Sequence, residues 1–281
     1  MKLTVAEFDR WEHKAITLLG MSGVGKTYLS QLMRQHDWFH YSGDYRIGTR
    51  YLNEAIIDNI KMQAMQVPFL RDLLLSDSIH IGNNISVDHL KPVSSFLGQV
   101  GNPDKMGHPL DEFMRRQRLH YDAEVATMLD VPSFIEKSQL IYGYTNFIND
   151  AGGSLCELDN QQVLDTLAEH TLIIYIRATK QNEQDVIERA SRDPKPLYFR
   201  ERFLEENLAL YLQEKQLDYV ALIDPDDFSR WVFPRLFYER IPRYEAIAAQ
   251  YGYTVSSLAM AEVENEADFL SVIRSTLSGE S

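Results

Sequence analysis

Residues 20–27 read Gly20-Met21-Ser22-Gly23-Val24-Gly25-Lys26-Thr27 and match the pattern G-x-x-x-x-G-K-[ST] at every fixed position. The apolar run over residues 15–19, Ala-Ile-Thr-Leu-Leu, precedes them and predicts a buried parallel strand. Residues 28–35 follow and are predicted to be helical. A glycine turn between a strand and a helix is the context in which this pattern has a physical meaning.

The pattern predicts a site for the phosphates of a nucleotide. Glycines let the backbone curl so that successive N–H groups point at an anion, and the helix that follows adds the partial positive charge of its N-terminus. Lys26 is expected to reach the outer phosphates, and the Thr27 hydroxyl to hold Mg²⁺. The residues expected to bind the nucleotide are Gly20, Ser22, Gly23, Val24, Gly25, Lys26, Thr27 and Tyr28. The alternative is a glycine-rich turn that binds nothing.

Composition narrows the class of protein. The 281 residues are 44% hydrophobic and 25% charged, which is enough to bury a core in one large α/β domain, with or without an inserted subdomain. The net charge of -13 argues against a general nucleic-acid or membrane-surface binder. Without a signal-like or long apolar stretch, we expect a cytoplasmic protein with no membrane segment. The single cysteine, Cys156, excludes an internal disulfide and is expected to be buried.

A second strand is predicted over residues 38–41, which read Trp-Phe-His-Tyr. Ligands of doubly wound sheets gather beyond the carboxyl ends of the strands. Asp44 and Arg46 follow this strand, so we expect them to face the same crevice as the glycine turn. The alternative is a solvated aspartate in a turn and an exposed arginine.

A third strand is predicted over residues 145–150 and ends at Asp150. A carboxylate in this position is expected to order the water shell of Mg²⁺ together with Thr27, although it can also be a plain turn residue. Gly152 and Gly153 follow it and let the backbone approach a ligand closely. Apolar runs at residues 171–176 and 251–256 complete a predicted five-stranded, mainly parallel sheet flanked by helices.

Residues 49–110 are less regular than the rest of the chain. Helices are predicted at residues 51–65 and 68–75, and residues 79–108 are rich in glycine, asparagine and proline. A loop-rich stretch of this length inside a compact domain usually serves recognition or acts as a lid. We therefore expect one domain over residues 1–281, with an inserted substrate-recognition or lid subdomain at residues 49–110.

Two clusters of basic residues stand out in this acidic chain. A long helix predicted from Pro109 to Met128 contains Arg115, Arg116 and Arg118, of which one or two can face the crevice. Residues 191–197 form a stiff loop with two prolines, and Arg189, Arg192 and Lys195 lie in or beside it. Cations on a mobile loop suit the charge that develops on a transferring phosphoryl group. The alternative is an exposed basic turn.

The C-terminal third is predicted to be mostly helical. Separate helices are expected at residues 226–237 and 245–250, on either side of Pro242. Trp231 and Phe233 are the expected core residues of the first of them.

With these motifs placed, the chain resembles the P-loop small-molecule kinases, especially shikimate kinases and nucleoside monophosphate kinases. The resemblance covers residues 14–48 and 112–275. The features that support it, in chain order, are GMSGVGKT, Asp44 in the row D-Y-R-I, Gly152-Gly153, the lid R-x-x-R-D-P-K-P-L at residues 189–197, and R-x-P-x-Y at Arg240, Pro242 and Tyr244. It implies the three-layer P-loop NTPase fold, with a mostly helical and loop insertion.

The resemblance also implies roles for individual residues. Asp44 is similar in position to the acid that holds and activates the acceptor hydroxyl, and Lys195 to a lid arginine that touches the phosphates. Arg240 matches an arginine that grips a carboxylate or phosphate of the acceptor, and an arginine among residues 115–118, such as Arg115 or Arg118, matches an anion clamp. The chain departs from shikimate kinases at Ser42, where they have a second aspartate, so the metal role passes to Asp150. The insertion makes shikimate itself an unexpected substrate.

These inferences lead to an expected function. We expect Mg²⁺-assisted phosphoryl transfer from ATP to a hydroxyl or anionic group of a small molecule, with Lys26, Asp44, Arg192 and Lys195 as catalytic residues. One alternative is a nucleotide hydrolase or switch whose insertion reports the nucleotide state to a protein partner, and another is a non-catalytic nucleotide sensor. The sequence leaves open the acceptor, the oligomeric state and the preference for ATP or GTP.

Overall fold

Five short, mostly apolar runs form one sheet in the computed structural model, which describes residues 1–279. The strands are β1 (Ala15–Leu19), β2 (Trp38–Ser42), β3 (Asn146–Asp150), β4 (Leu172–Arg177) and β5 (Gly252–Ser256). Their order across the sheet is β2-β3-β1-β4-β5, and every neighbouring pair is parallel. The predicted α/β class and five-stranded parallel sheet are confirmed.

Helices connect and flank the strands. They are α1 (Val5–Arg10), α2 (Lys26–Arg34), α3 (Gly43–Arg46), α4 (Asn53–Ala64), α5 (Pro68–Leu75), α6 (Lys91–Leu97), α7 (Leu110–Leu129), α8 (Val131–Leu140), α9 (Gln161–His170), α10 (Lys180–Arg192), α11 (Glu201–Lys215), α12 (Pro225–Tyr251), α13 (Ser257–Ala261) and α14 (Glu266–Ser278). This arrangement is compatible with a three-layer fold.

β1 is the central strand and places the start of the glycine turn. All five of its residues are buried because β3 and β4 pair with its two edges. In this register Leu18 lies beside Asp150, and Leu19 lies beside Tyr175. The carboxyl ends of three neighbouring strands therefore meet where β1 ends, which is the edge at which open α/β sheets bind ligands.

The segment at residues 47–110 folds on a small core of its own. Ile47, Leu52, Ile56 and Phe96 are buried together and pack against Ala123 of α7. The helices predicted at residues 51–65 and 68–75 are present as α4 and α5. The structure adds α6, which lies in the stretch at residues 79–108 that was predicted to be rich in loops from its glycine, asparagine and proline content. The proline in its first turn is well suited to that position.

Arg116 holds this segment against α7. Its buried guanidinium donates to Glu112 Oε1 at 2.6 Å, to the Phe96 carbonyl at 2.5 Å and to Asn59 Oδ1 at 2.6 Å. Three separate elements of the chain are therefore joined through one side chain. Of the three arginines near the start of α7, this one is turned inward.

We expect Arg116→Ala to lower the free energy of unfolding by about 2–3 kcal/mol. The substitution leaves the Phe96 carbonyl without its hydrogen-bond donor, and it takes the buried guanidinium away from Glu112, which is itself partly exposed. Urea denaturation measures this change. Arg115→Ala is the matched control, since exposed Arg115 pairs with the same carboxylate and its loss should cost about 0–0.5 kcal/mol. Equal losses in the two variants would contradict the anchoring role.

The prediction of separate helices at residues 226–237 and 245–250 is wrong. α12 is one helix that continues through Pro234 and Pro242. Each interior proline removes a backbone hydrogen bond, but side chains such as Phe228, Phe237 and Tyr244 are buried along the whole length of the helix. Tertiary packing offsets the local cost, as it commonly overrides helix propensity.

The expected core residues of this helix are also corrected. Trp231 and Phe233 are only partly buried. Phe228, Val232 and Leu236, spaced four residues apart on one face, are fully buried, and so is Phe237.

Two expectations from composition can be compared with the structure. Cys156 is buried, as predicted, and burial raises the pKa of its thiol to about 12. Within residues 1–279, no helix is both long enough and apolar enough to cross a bilayer.

Candidate functional site

The glycine loop, residues 20–25, connects β1 to α2. Gly25 has φ +97° and directly precedes the first helical residue, a backbone conformation in which any other side chain would be strained. No side chain caps the N-terminus of α2. The amide groups of the first helical turn therefore remain free to bind an anion, as a helix start normally allows.

A cavity of about 270 Å³ lies against the glycine loop, and we call it the loop cavity. It is lined by Ser22, Gly23, Gly25, Lys26, Thr27, Tyr28, Asp44, Asp150, Ala151 and Gly153. Six of the eight residues predicted to bind a nucleotide are in this set. The other two lie behind it: Gly20 offers its carbonyl to Lys26, and the Val24 side chain is buried in the core.

Lys26 lies folded against the loop. Its ammonium donates to the Gly20 carbonyl at 2.6 Å and to the Met21 carbonyl at 3.1 Å. Burial lowers the pKa of Lys26, and the carboxylates of Asp150 and Asp44 oppose that shift. Lys26 is the lysine that lines the loop cavity.

Thr27 and Asp150, the two residues predicted to hold metal, are in direct contact. Thr27 Oγ1 donates to Asp150 Oδ2 at 2.7 Å, and His40 Nε2 lies 3.6 Å from the same oxygen. In the part of the chain that the structure describes, no group of three or more His, Cys, Asp and Glu side chains is arranged around a metal position. A hydroxyl and one carboxylate nevertheless fit Mg²⁺, which usually takes its other ligands from water and phosphate oxygens.

A second cavity of about 670 Å³, which we call the large cavity, opens beside the first. One side of it is lined by α6, including Lys91 and Val93, and by Leu90 just before that helix. Residues 193–198 line the other side. Ser22, Asp44 and Gly153 line both cavities. The two spaces therefore adjoin beside these three residues, one of which, Asp44, carries a carboxyl group.

Asp44 lies in α3, directly after β2. Burial by the surrounding walls raises the pKa of its carboxyl to about 6, the Asp150 carboxylate adds to the shift, and Lys26 opposes it. Water in the crevice still reaches the side chain, which tempers the effect of burial. The carboxyl is therefore mostly ionised at neutral pH, with a pKa close to that of an efficient general base.

The segment after β3 passes very close to the glycine loop. A Cβ atom at Gly153 would lie 2.7 Å from Ser22 Oγ and 3.3 Å from the Ser22 amide nitrogen. Only glycine allows this approach without a shift of Ser22. Gly152, its neighbour, faces the carboxyl oxygens of Asp44 and Glu124 in the same way.

We expect Gly153→Ala to weaken binding of a nonhydrolysable ATP analogue by about tenfold. The added methyl group would displace Ser22 and disturb backbone amides that would contact phosphate. The size of the effect follows from the loss of one hydrogen bond to a charged group, which is worth ~1.5–3 kcal/mol. Calorimetric titration measures the dissociation constant. Gly82→Ala is the matched control, since a Cβ at Gly82 meets no other atom within 4 Å. Unchanged affinity in Gly153→Ala would contradict the role of this contact.

The predicted lid cations lie in different places. α10 continues to Arg192, two residues beyond its predicted end, so the stiff loop begins at Asp193. Lys195 lines the large cavity, and its ammonium is 3.7 Å from Asp193. Arg192 is exposed, pairs with Glu188 and lines neither cavity.

Arg189, one helical turn before Arg192, is the lid cation nearest to the glycine loop. A terminal nitrogen of its guanidinium would lie 3.1 Å from a Cβ at Gly23. Arg189 was predicted, together with Arg192 and Lys195, to supply positive charge beside the stiff loop at residues 191–197. Arg189, unlike Arg192, therefore lies beside the glycine loop.

Three arginines predicted to bind substrate are not brought to either cavity. Arg46 was expected to face the crevice, but it donates to Asp130 Oδ2 at 2.9 and 2.7 Å, because two residues along a helix point to opposite sides. Arg115 is exposed and bonded to its helical neighbour Glu112. Arg118 pairs with a glutamate of α11 in a separate surface groove.

Arg240 lines the large cavity, but most of its hydrogen-bonding capacity is already used. It donates to Glu157 Oε1 at 3.1 Å, to the Gly153 carbonyl at 2.9 Å and to the Tyr198 carbonyl at 2.8 Å. The guanidinium therefore ties α12 to the two segments that form the cavity wall. The observed hydrogen bonds of Arg240 therefore hold the wall of the large cavity together.

Several polar residues of the large cavity and its wall were not predicted from the sequence, among them three with ionisable side chains. His120 and Lys91 line it, and Glu124 lies buried behind His120. The spacing H-x-x-x-E places His120 and Glu124 on one face of α7, which was the available signal. Nothing in the sequence marks Lys91, because α6 was not predicted.

The chain was compared with protein-family models and with curated proteins, and neither comparison returned a match. The functional inference therefore rests on the residues around the two cavities.

Proposed function

We propose that this protein is a P-loop kinase that transfers the terminal phosphoryl group of ATP to a hydroxyl of a small molecule. The observation that supports this most is that Asp44 lines both cavities. A phosphate bound at the glycine loop and a hydroxyl bound in the large cavity would meet at this one carboxylate. Such alignment is the main requirement of phosphoryl transfer, in which positioning and charge stabilisation provide most of the catalysis.

The nucleotide side of the proposal uses the loop cavity. The free amides at the start of α2 and the Lys26 ammonium would hold the phosphates. Thr27 Oγ1 and Asp150 Oδ2 would hold Mg²⁺, which supplies neutralisation of charge on the phosphate oxygens. Arg189 and Lys195 would approach from the side of the predicted lid. Their positive charges would stabilise the negative charge that develops on the phosphoryl group during transfer.

The acceptor side uses Asp44 as general base. As the acceptor oxygen forms its bond to the terminal phosphorus, the bond from that phosphorus to the ADP oxygen breaks. The acceptor proton passes to the Asp44 carboxylate, and the products are ADP and a phosphate ester. A pKa of about 6 suits this role, because the carboxylate is ionised at neutral pH yet basic enough to take the proton.

Product identity tests the proposal. The protein is incubated with ATP, Mg²⁺ and a panel of small hydroxyl compounds, and ADP, free phosphate and phosphate esters are quantified. We expect ATP to remain nearly intact until an acceptor is present, and then ADP and ester to form in equal amounts. Rapid release of free phosphate without any acceptor would contradict phosphoryl transfer.

We expect transfer to depend on pH through Asp44. Because the pKa of this carboxyl is raised to about 6 and only the ionised form accepts a proton, kcat/KM should be level above neutral pH and fall as pH drops through that value. The fall should approach about tenfold per pH unit. Affinity for the ATP analogue, measured over the same range, separates this loss from weaker nucleotide binding. A rate that rises below pH 6 would be inconsistent with Asp44 as the base.

A second function is favoured by one feature of the insertion. α5 buries none of its residues, and Met62, Val67, Phe69 and Leu75 are exposed in and around α4 and α5. Exposed apolar side chains in one region are typical of protein-binding surfaces. They fit a nucleotide hydrolase that acts on a protein partner, for which the product test above would give ADP and free phosphate without a phosphate ester.

A further inference from the structure

His120 and Glu124 form a buried polar pair in the wall of the large cavity. His120 is 7% exposed and Glu124 is fully buried. Glu124 Oε2 accepts a hydrogen bond from Ser154 Oγ at 2.7 Å, and His120 Nδ1 lies 3.7 Å from the same oxygen. The His120 ring stacks on Tyr198 with 5.3 Å between the ring centroids. The pair is thus fixed in place by contacts on several sides.

The pair retains hydrogen-bonding capacity that the protein does not use. Glu124 Oε1 and His120 Nδ1 are sealed from solvent and have no hydrogen-bond partner among residues 1–279. Buried polar atoms in proteins are nearly always paired, so each unpaired atom needs an explanation. Because these two atoms are shielded from solvent, a ligand would meet the pair through the other ring nitrogen of His120, which is itself a lining residue of the cavity.

The orientation of the ring shows which nitrogen meets a ligand. Nδ1 is on the edge that faces Glu124 and is shielded from solvent, so the edge with Nε2 is the one that faces the cavity. A proton on Nδ1 points toward the carboxyl and leaves a lone pair on Nε2. Burial, with a contribution from the Arg240 charge, lowers the pKa of His120 to about 4, which keeps the ring neutral at physiological pH.

The surroundings of this nitrogen disfavour an anion. Gly152 separates the carboxyl groups of Glu124 and Asp44, since a Cβ there would lie 2.8 Å from Glu124 Oε1 and 3.2 Å from Asp44 Oδ1. The Asp44 carboxylate repels negative charge, whereas the uncharged His120 ring can accept a hydrogen bond. Burial raises the pKa of Glu124 to about 7, so this carboxyl carries only part of a negative charge at neutral pH. Three cations line the same cavity: Lys91 of α6, Lys195 of the loop at residues 193–198, and Arg240 of α12. The Arg240 guanidinium already donates to Glu157 and to the Gly153 and Tyr198 carbonyls.

We propose, building on the phosphoryl-transfer function above, that His120 Nε2 accepts a hydrogen bond from a second, uncharged hydroxyl of the acceptor, with Glu124 as the positioning residue behind it. The acceptor class is then a small polyol: one hydroxyl lies at Asp44 and receives the phosphoryl group, and another is recognised by His120. His120 acts in specificity and takes no proton from the reacting oxygen.

Nitrogen-15 NMR of the His120 ring, recorded on the full-length protein with ADP and Mg²⁺, tests this proposal. The probes are glycerol, D-ribose and myo-inositol, and succinate is the anionic compound without a hydroxyl. We expect an unprotonated Nε2 in the free protein and a shift of its resonance with at least one polyol but not with succinate. The exposed His170 is the internal control and should not respond. A protonated Nε2, no response to any of the three polyols, or a response to succinate alone would overturn the proposal.

Variants of His120 separate recognition from structure. His120→Phe keeps an aromatic ring beside Tyr198 but removes both nitrogens, and His120→Gln can place an amide oxygen near the position of Nε2. For the polyol with the largest NMR response, we expect the dissociation constant to rise at least about tenfold in His120→Phe and to recover partly in His120→Gln. Affinity for the ATP analogue should be unchanged in both. An unaltered polyol affinity in His120→Phe would refute recognition by this ring.

Glu124→Gln tests the positioning residue. An amide can offer an N–H to Nδ1, so the proton should move toward Nε2 in a measurable fraction of molecules. An unchanged proton distribution in the same NMR spectrum would contradict positioning by Glu124. If the polyols bind at His120 but ATP is only hydrolysed, the phosphoryl-transfer function fails while the recognition site stands, so the two failures are distinguishable.

Discussion

Lys26→Ala is expected to reduce phosphoryl transfer at least about 100-fold and to weaken binding of ATP. The ammonium lies at the floor of the loop cavity and is held by two carbonyls of the glycine loop. Its removal takes away the one lysine of the loop that can move from these carbonyls onto a phosphate. Calorimetric titration with a nonhydrolysable ATP analogue and an assay of ester formation measure the two effects.

Two variants serve as controls for this experiment. Lys26→Met retains the volume of the buried side chain, so a comparable loss in Lys26→Met and Lys26→Ala assigns the effect to the charge. Lys91→Ala removes a lysine that lines the large cavity only and should leave ATP affinity unchanged. Equal ATP affinity in Lys26→Ala and the unaltered protein would contradict the assignment of the loop.

Asp44→Asn is expected to lower kcat by about 10²–10⁴-fold while affinity for the ATP analogue stays the same. The amide keeps the shape of the side chain but takes no proton from the acceptor. Burial and the Asp150 carboxylate raise the pKa of Asp44, so its ionised form is disfavoured in the folded protein. Because the amide of asparagine carries no charge, the melting temperature of Asp44→Asn should not fall. Loss of activity without loss of stability distinguishes a functional carboxylate from a structural one.

Asp193→Asn is the matched control, because Asp193 also lines the large cavity but does not reach the loop cavity. Its turnover should be close to that of the unaltered protein. Full activity in Asp44→Asn would rule out Asp44 as the general base. A large loss in both variants would indicate a general requirement for negative charge in the cavity and would also count against a specific base.

The sheet and the glycine loop could be predicted from the sequence because both depend on local patterns. Runs such as residues 15–19 and 171–176 are short and almost wholly apolar, which predicts buried strands. Glycines at fixed spacing mark the turn between the first of these strands and the helix that follows it. Asp44 and Asp150 could be placed because Asp150 ends one strand and Asp44 lies two residues after another, and both strands end at the edge where such sheets bind ligands. These predictions needed little information about long-range contacts.

The partners of charged side chains could not be predicted in the same way. Arg46 and Arg116 are equally basic in the sequence, yet one is bonded to Asp130 and the other to groups from three elements. His120 and Glu124 share a helix face, but their burial depends on how the segment with Tyr198 crosses α7. Such contacts are decided by tertiary packing, which local periodicity does not encode.

The most direct test of the central claim is a crystal structure of the protein with Mg²⁺ and a nonhydrolysable ATP analogue. The account predicts the triphosphate in the loop cavity, with Lys26 Nζ on an outer phosphate and the terminal phosphate facing Asp44. A triphosphate bound elsewhere, or a glycine loop that makes no contact with phosphate, would contradict it.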